Sequence, residues 1–262
     1  MLEKWIQILS CYILGTLALA GGTTYYVSPV DGDDTQSGLA KGLAWKSFER
    51  VNQLALTPGD RIEITEPGSF DQSLHITGSG SRWSPIEVHF APGRYDLFTT
   101  NLTRRKFNIS NTNAFPDADK AIGLYLEGAK HVRVTGKGAR IVCRGKMMEV
   151  CIDHSEDIRI SDLQFDYHRP TVSEFKVVET GEDYAVLKIH PDSWYQAENG
   201  QLLWVGEGWD YGPAELMQIL DTGNNSIRRS RNLLKGLEIE EIEPFLLRAH
   251  GKHQFKKDWI YQ

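Results

Sequence analysis

The chain has 262 residues, enough for one large domain or two smaller ones with separate cores. Its formal charge is −6 and it has no basic tract, which argues against the clustered Lys and Arg of a nucleic-acid footprint. Seven Trp and ten Tyr suit a secreted carbohydrate-active protein, because flat aromatic faces stack on sugar rings, although core packing is the commoner use of any one aromatic.

Met1–Ala20 reads as a secretory signal peptide: Lys4 precedes an apolar run from Trp5 to Leu19, and Ala18-Leu19-Ala20 offers small residues for cleavage. The run is shorter than the ~20 residues of a membrane span, so the reading is export to a bacterial periplasm, cell surface or medium, with no membrane span. Beyond the leader only Cys143 and Cys151 remain, too few for a disulfide framework.

Thr24–Pro29 is β-prone and leads into the polar loop Asp31–Gly38. Its aspartates lack the spacing of a calcium loop and its distant Glu, so they are read as caps on backbone N–H groups. Trp45, Phe48, Val51, Leu54 and Ala55 recur at helical spacing and predict a short helix over 45–56. Pro58-Gly59-Asp60 ends it, and Arg61–Ile64 starts a strand. This order resembles the N-terminal cap of secreted right-handed parallel β-helix proteins, where a short helix covers the open first rung.

Rungs follow at Ile86–Phe90 and at Phe107–Ile109, with the spacer containing Arg104–Lys106 read as a loop. From Ile122 a repeat is explicit. Leu124, Leu126, Val132 and Val134 recur as Val150, Ile152, Ile158 and Ile160, a shift of 26 residues. A third strand closes each coil, at Ile141–Cys143 and at Leu163–Phe165. Short strands at this period with no helix between them predict an all-β chain built as a right-handed parallel β-helix of the pectate-lyase type.

After Pro170 the pattern changes. Phe175–Val178 and Tyr184–Ile189 flank a Gly-containing turn, as in a hairpin. Strands are expected at Leu202–Val205 and Glu215–Leu220, with a turn at Asn224-Asn225. The division is a cap and first coils over 21–170, an inserted antiparallel β-barrel-like module over 171–247, and a return to the coil over 248–262. The module core is expected to use Val177, Val186, Ile189, Leu203, Val205, Met217 and Ile219. The apolar end, Asp258–Gln262, reads as a coil whose continuation lies beyond Gln262.

Alternation places Glu127 and Asp153 outward on one face, one rung (~4.8 Å) apart, and stacks Arg133 and Arg159 on the next. One reading is that these like-charge ladders compensate each other around the corner; the other is that the carboxylates hold sugar hydroxyls. Asp166 points out from the third strand, so Asp153 and Asp166 make a poor catalytic pair for the ~6.5–9.5 Å of an inverting glycosidase. Asp166, His168, Arg169 and Glu174 gather at the junction of coil and insert, where ligand sites and structural ion pairs are both common. No metal-ligand spacing and no cofactor motif occurs.

The runs Ile152-Asp153-His154-Ser155, Asp166-Tyr167-His168-Arg169-Pro170 through Glu174, and Glu238–Pro244 resemble glycoside hydrolase family 110, bacterial exo-acting α-1,3-galactosidases that remove terminal galactose from blood-group-B-like glycans. The resemblance implies inversion of configuration, a glycan partner with terminal α-galactose, no metal, and catalytic carboxylates in later coils. No catalytic residue is therefore assigned in this chain, which reads as an inactive N-terminal fragment; Glu127, Asp153, Asp166, His168, Arg169 and Glu174 stay as candidate substrate-binding residues. A polysaccharide lyase and a non-catalytic glycan-binding surface protein are the competing classes.

Overall fold

The computed structural model describes residues 21–107, 117–212 and 215–262. The leader Met1–Ala20 and the Asn108-Ile109 part of an expected rung lie outside them. The described residues are all-β, with 3-10 turns at Lys41–Leu43 and Val51–Gln53.

The first half is built from β1 (Thr24–Val27), β2 (Arg61–Ile64), β3 (Ser69–Gln72), β4 (Leu74–Ile76), β5 (Ile86–Phe90), β6 (Gly93–Asn101), β7 (Arg104–Lys106), β8 (Asp119–Glu127), β9 (Lys130–Arg144), β10 (Met148–Asp153) and β11 (Glu156–Tyr167). These form three parallel ladders. In the first, Tyr25, Ile62, Val88, Val134 and Ile160 stand in line on β1, β2, β5, β9 and β11. In the second, Phe70, Leu97, Cys143 and Tyr167 align on β3, β6 and the second halves of β9 and β11. In the third, Leu74, Leu124 and Val150 align on β4, β8 and β10. Branched and aromatic side chains on alternate positions turn inward and fuse the ladders into one core; Ile62, Val88, Val134 and Leu126 are fully buried.

The repeat seen in the sequence is the pairing register itself: Val150 opposes Leu124, Ile152 opposes Leu126, Ile158 opposes Val132 and Ile160 opposes Val134. The register shifts between Ser161 and Leu163. There Asp162 alone, at φ 61°, turns a corner that Gly136-Lys137-Gly138 takes one rung earlier, with Gly138 at φ 81°.

Two expectations for this half are corrected. Residues 45–56 form no α-helix: Trp45 bridges Val27 in parallel, bends follow, and only the turn at Val51–Gln53 is helical. Trp45, Phe48, Val51 and Leu56 are buried as a helix would bury them, but the Asp34 carboxylate holds the Lys46 and Ser47 N–H groups at 2.8 and 2.9 Å, tying that backbone to the loop. The same bonds, with Asp33 on Thr35, make these aspartates caps as expected. Arg104–Lys106 is strand β7 rather than loop, paired antiparallel with the start of β8.

The second half contains β12 (Phe175–Thr180), β13 (Tyr184–Ile189), β14 (Tyr195–Glu198), β15 (Gln201–Gly206), β16 (Trp209–Tyr211), β17 (Leu216–Asp221), β18 (Ser226–Arg231), β19 (Glu238–Glu243), β20 (Leu246–His250) and β21 (Ile260–Tyr261). Seven strands form one antiparallel sheet in the order β18-β17-β21-β12-β13-β20-β19, and β14-β15-β16 form another. The β12–β13 hairpin and the Asn224-Asn225 turn sit where expected. Of the expected core, Val177, Ile189, Met217 and Ile219 join the cluster; Val186 is buried outside it, and Leu202 replaces Leu203 and Val205. Leu202–Val205 is apolar throughout, so alternation alone does not fix its phase.

The boundary expected near residue 247 falls inside this sheet. β21 lies between β12 and β17, and Tyr261 stacks on Phe175 at 5.4 Å and meets Phe255 edge-on at 5.0 Å. Residues 248–262 therefore belong to the antiparallel module, not to a returning coil.

Candidate functional site

On the outward face of the β4–β8–β10 ladder, parallel register stacks His75, Tyr125 and Cys151 in one row and Glu127 and Asp153 in the next. The carboxylate ladder is thus real. Its charges are taken up locally: Glu127 meets His75 Nε2 at 3.0 Å and Arg105 at 3.9 Å, and Asp153 meets His154 Nδ1 at 2.7 Å. Under them the Tyr125 ring stacks on His75 at 4.6 Å with its hydroxyl buried and without a partner. Burial first, then the Glu127 carboxylate, push that phenol up to about 12. Burial and the Asp153 carboxylate raise the Cys151 thiol as well, and both Cys143 and Cys151 are free.

On the next face Arg133 opposes Arg159. Arg133 donates to Asp157 Oδ2 at 2.7 Å and to its carbonyl at 2.7 Å, while His131 meets the same carboxylate at 2.8 Å. The two ladders therefore do not compensate each other around the corner: Glu127 pairs with β4 and β7, Asp153 with the next residue, and Arg133 with Asp157 one rung on.

The junction residues do not converge either. Asp166 is bound by Arg140, which holds its carboxyl below the usual range. His168 is exposed, edge-on to Trp194 at 5.9 Å. Glu174 accepts from Gln262 Nε2, just past β21, at 2.9 Å. Arg169 is 3% exposed and spends its guanidinium on structure. Nε donates to the Val205 carbonyl at 2.9 Å, Nη1 to Pro170 and Val172, and Nη2 to Ser173 Oγ at 2.7 Å and the Trp194 carbonyl at 3.2 Å. The Trp209 ring lies 4.9 Å away. With every N–H directed at an acceptor, Arg169 has no donor left for a ligand; its part is to fasten β15 and β16 to the end of β11.

A second fastening was invisible in the sequence. Arg144, ending β9, donates to Glu207 Oε1 at 2.6 and 2.8 Å and to Asp96 at 3.2 Å, and lies 4.8 Å from the Phe98 ring centroid. Partners 48 and 63 residues apart leave no local spacing to read. Only Gly145, at φ 111°, hints that the chain must turn sharply after Arg144. Among the described residues, no group of three His, Cys, Asp or Glu side chains is arranged to hold a metal ion, and no helix is long and apolar enough to cross a membrane.

With this geometry in place, comparison with known proteins is direct. Residues 173–259 match the family model of the GLAA-B beta-barrel domain I, which coincides with the antiparallel module from β12 to the approach of β21. Alpha-1,3-galactosidase A of Akkermansia muciniphila is 35% identical over 211 residues, 80% of this chain and 35% of that protein. The resemblance to glycoside hydrolase family 110 is shown. In family terms the match is partial: alpha-1,3-galactosidase A of Bacteroides thetaiotaomicron is 36% identical over 48% of this chain and 23% of its own, and that of Bacteroides fragilis strain YCH46 is 29% identical over 62% and 28%. The chain spans about a third or less of the length of these relatives. A lacto-N-biosidase of family GH136 from Eubacterium ramulus shares a TM-score of 0.41 at 22% identity over 55% of this chain and 27% of its own. The likeness to these galactosidases makes this a glycoside-hydrolase-like protein.

Proposed function

We propose that this chain is the N-terminal part of an exported glycoside hydrolase that removes terminal α-1,3-linked galactose, with inversion, from glycans resembling blood group B. In this reading β1–β11 are the first coils of a right-handed parallel β-helix, β12–β21 are an inserted barrel, and the catalytic carboxylates come from coils after Gln262. The observation that carries it is the 211-residue alignment with an alpha-1,3-galactosidase at 35% identity.

The side-chain chemistry supports an inactive piece. An inverting site needs two carboxyl groups about 6.5–9.5 Å apart with a water between them, one of them protonated. Glu127, Asp153, Asp157 and Asp166 are each engaged by a cation or imidazole, and the shifts at Asp157 and Asp166 run toward stronger acidity, the wrong direction for a general acid. Glu127, Asp153 and exposed His168 are left as candidate substrate contacts of the longer protein. The test is galactose release from a terminal α-1,3-galactoside, followed by NMR for the first-formed anomer. The protein carrying this chain with its continuation should release β-galactose and the 262-residue chain none. Turnover by the chain alone would overturn the assignment of the catalytic groups, and no turnover by the longer protein would overturn the substrate.

A further inference from the structure

The acidic balance of the whole chain conceals a local reversal. Arg228, Arg229, Arg231 and Lys235 stand within Ser226–Lys235 with no carboxylate among them. On the coil, Arg61, Arg94, Arg133, Arg140 and Arg144 all meet carboxylates. Among the described residues, none of these four cations does. Arg228 lies 5.0 Å from the Trp259 ring centroid, which also carries Lys256 Nζ at 4.5 Å.

β18 is an edge strand, hydrogen-bonded to β17 alone. Opposite residues on an antiparallel pair share a face. Met217 and Ile219 enter the core, so Leu216–Arg231, Gln218–Arg229 and Leu220–Ile227 form the outer face. Arg229 and Arg231 therefore project together about 7 Å apart, beside exposed Ile227 and Leu216. The strip runs into a groove of about 1090 Å³ at the end of β18, where Arg231 and Lys235 face Asn199, Gln201, Glu215 and Glu238. Ligand sites commonly enclose ~300–1,000 Å³.

We propose that the outer face of β18 and this groove bind a sulfated glycan chain, its sulfate groups on Arg229, Arg231 and Lys235 and its hydroxyls on the amide and carboxylate side chains of the groove. Guanidinium suits such oxyanions because it donates two parallel hydrogen bonds. The choice of a glycan over an acidic peptide rests on the glycoside-hydrolase reading.

The test is titration calorimetry of the full chain with a chondroitin sulfate hexasaccharide and its desulfated form at low ionic strength. Binding should require sulfate and weaken as salt screens the charges. The exposed pair R229Q/R231Q should weaken it about tenfold or more, with an unchanged circular dichroism spectrum. R61Q, which removes an ion-paired arginine from the coil, should leave it unaltered. No binding by the natural chain, binding that survives R229Q/R231Q, or equal binding of single-stranded DNA overturns the proposal. So does salt-sensitive self-association abolished by the same pair, which would give the strip to the acidic strand β19 of a second copy. Galactose release is read separately: its failure with sulfate-dependent binding intact sinks the α-galactoside substrate and leaves this site standing.

Discussion

Arg144 holds Glu207 through two nitrogens, at 2.6 and 2.8 Å, and so ties the last residue of β9 to the turn between β15 and β16. Both side chains are about four-fifths buried, and the second Glu207 oxygen is buried without a partner. Removing the cation strands a mostly buried carboxylate, whereas neutralising the acid leaves Arg144 with Asp96. We expect R144A to cost about 2–3 kcal/mol and E207Q clearly less. Urea denaturation followed by tryptophan fluorescence measures both; equal losses would mean the pair is not the fastening described.

Arg169 makes the second fastening, through carbonyls, one hydroxyl and the Trp209 face, with no carboxylate beside it. Burial lowers its pKa, so the site bears the desolvation of a cation in exchange for a fixed junction geometry. Lysine lacks the planar fork and cannot meet acceptors on both sides. R169K should therefore destabilise nearly as much as R169A, by about 3 kcal/mol or more. A near-neutral R169K, by urea midpoint at unchanged slope, would show that charge alone matters there.

The outer charges of the parallel ladders predict an acid limb. Arg133, and then His131, hold the Asp157 carboxyl at about 2 against an ordinary 3.8. A folded carboxyl more acidic than the unfolded one adds stability that is complete above about 3.8 and lost as pH falls through about 2. Asp166, held down first by Arg140, and Asp96, held down first by Arg94, act in the same direction. D157N should flatten the fall of the thermal midpoint between pH 4 and pH 2; a curve parallel to the natural chain's would remove Asp157 from the account.

What could be read in advance follows from how local each determinant is. The register of β8–β10 and β9–β11 was legible because each rung repeats its apolar spacing, so one alignment fixes every pair from Val150 to Ile160. The phase of β15 was not, because Leu202, Leu203, Trp204 and Val205 satisfy either face. The expected helix over 45–56 failed because Asp34, distant in sequence, holds that backbone. For the site, stacking of Glu127 on Asp153 followed from alternation. The burial of Arg169 did not, since two of its acceptors and the covering Trp209 ring come from β15, the loop before β14 and β16.

Tyr125 offers a test in the stabilising direction. It points outward from β8 yet is fully buried under the His75 ring, and its hydroxyl, though near enough to the Glu127 carboxylate for that acid to raise its pKa, makes no well-formed hydrogen bond. An unsatisfied buried hydroxyl costs more than it returns, about 1 kcal/mol or more. Y125F keeps the stacked ring and removes the liability, so its unfolding midpoint should rise. A fall would mean the hydroxyl is bonded in solution, by water or by Glu127, and that this face is wetter than its burial indicates.

The last strand decides where the module ends. Tyr261 is 1% exposed, stacks on Phe175, meets Phe255 edge-on and accepts from the Lys256 N–H at 2.9 Å through its hydroxyl. β21 pairs with β12 and β17, so without it the two halves of the seven-stranded sheet lose their connection. Y261A should cost about 3–5 kcal/mol, as large aromatic truncations in a core do. A chain ending at residue 247 should lose protected amides across β12, β13 and β17, while those of β5, β8 and β9 persist because they lie in a separate core. Hydrogen exchange reads this strand by strand. Full protection of β12 and β17 in the shortened chain would restore the boundary at 247 and make β21 an accessory to the module.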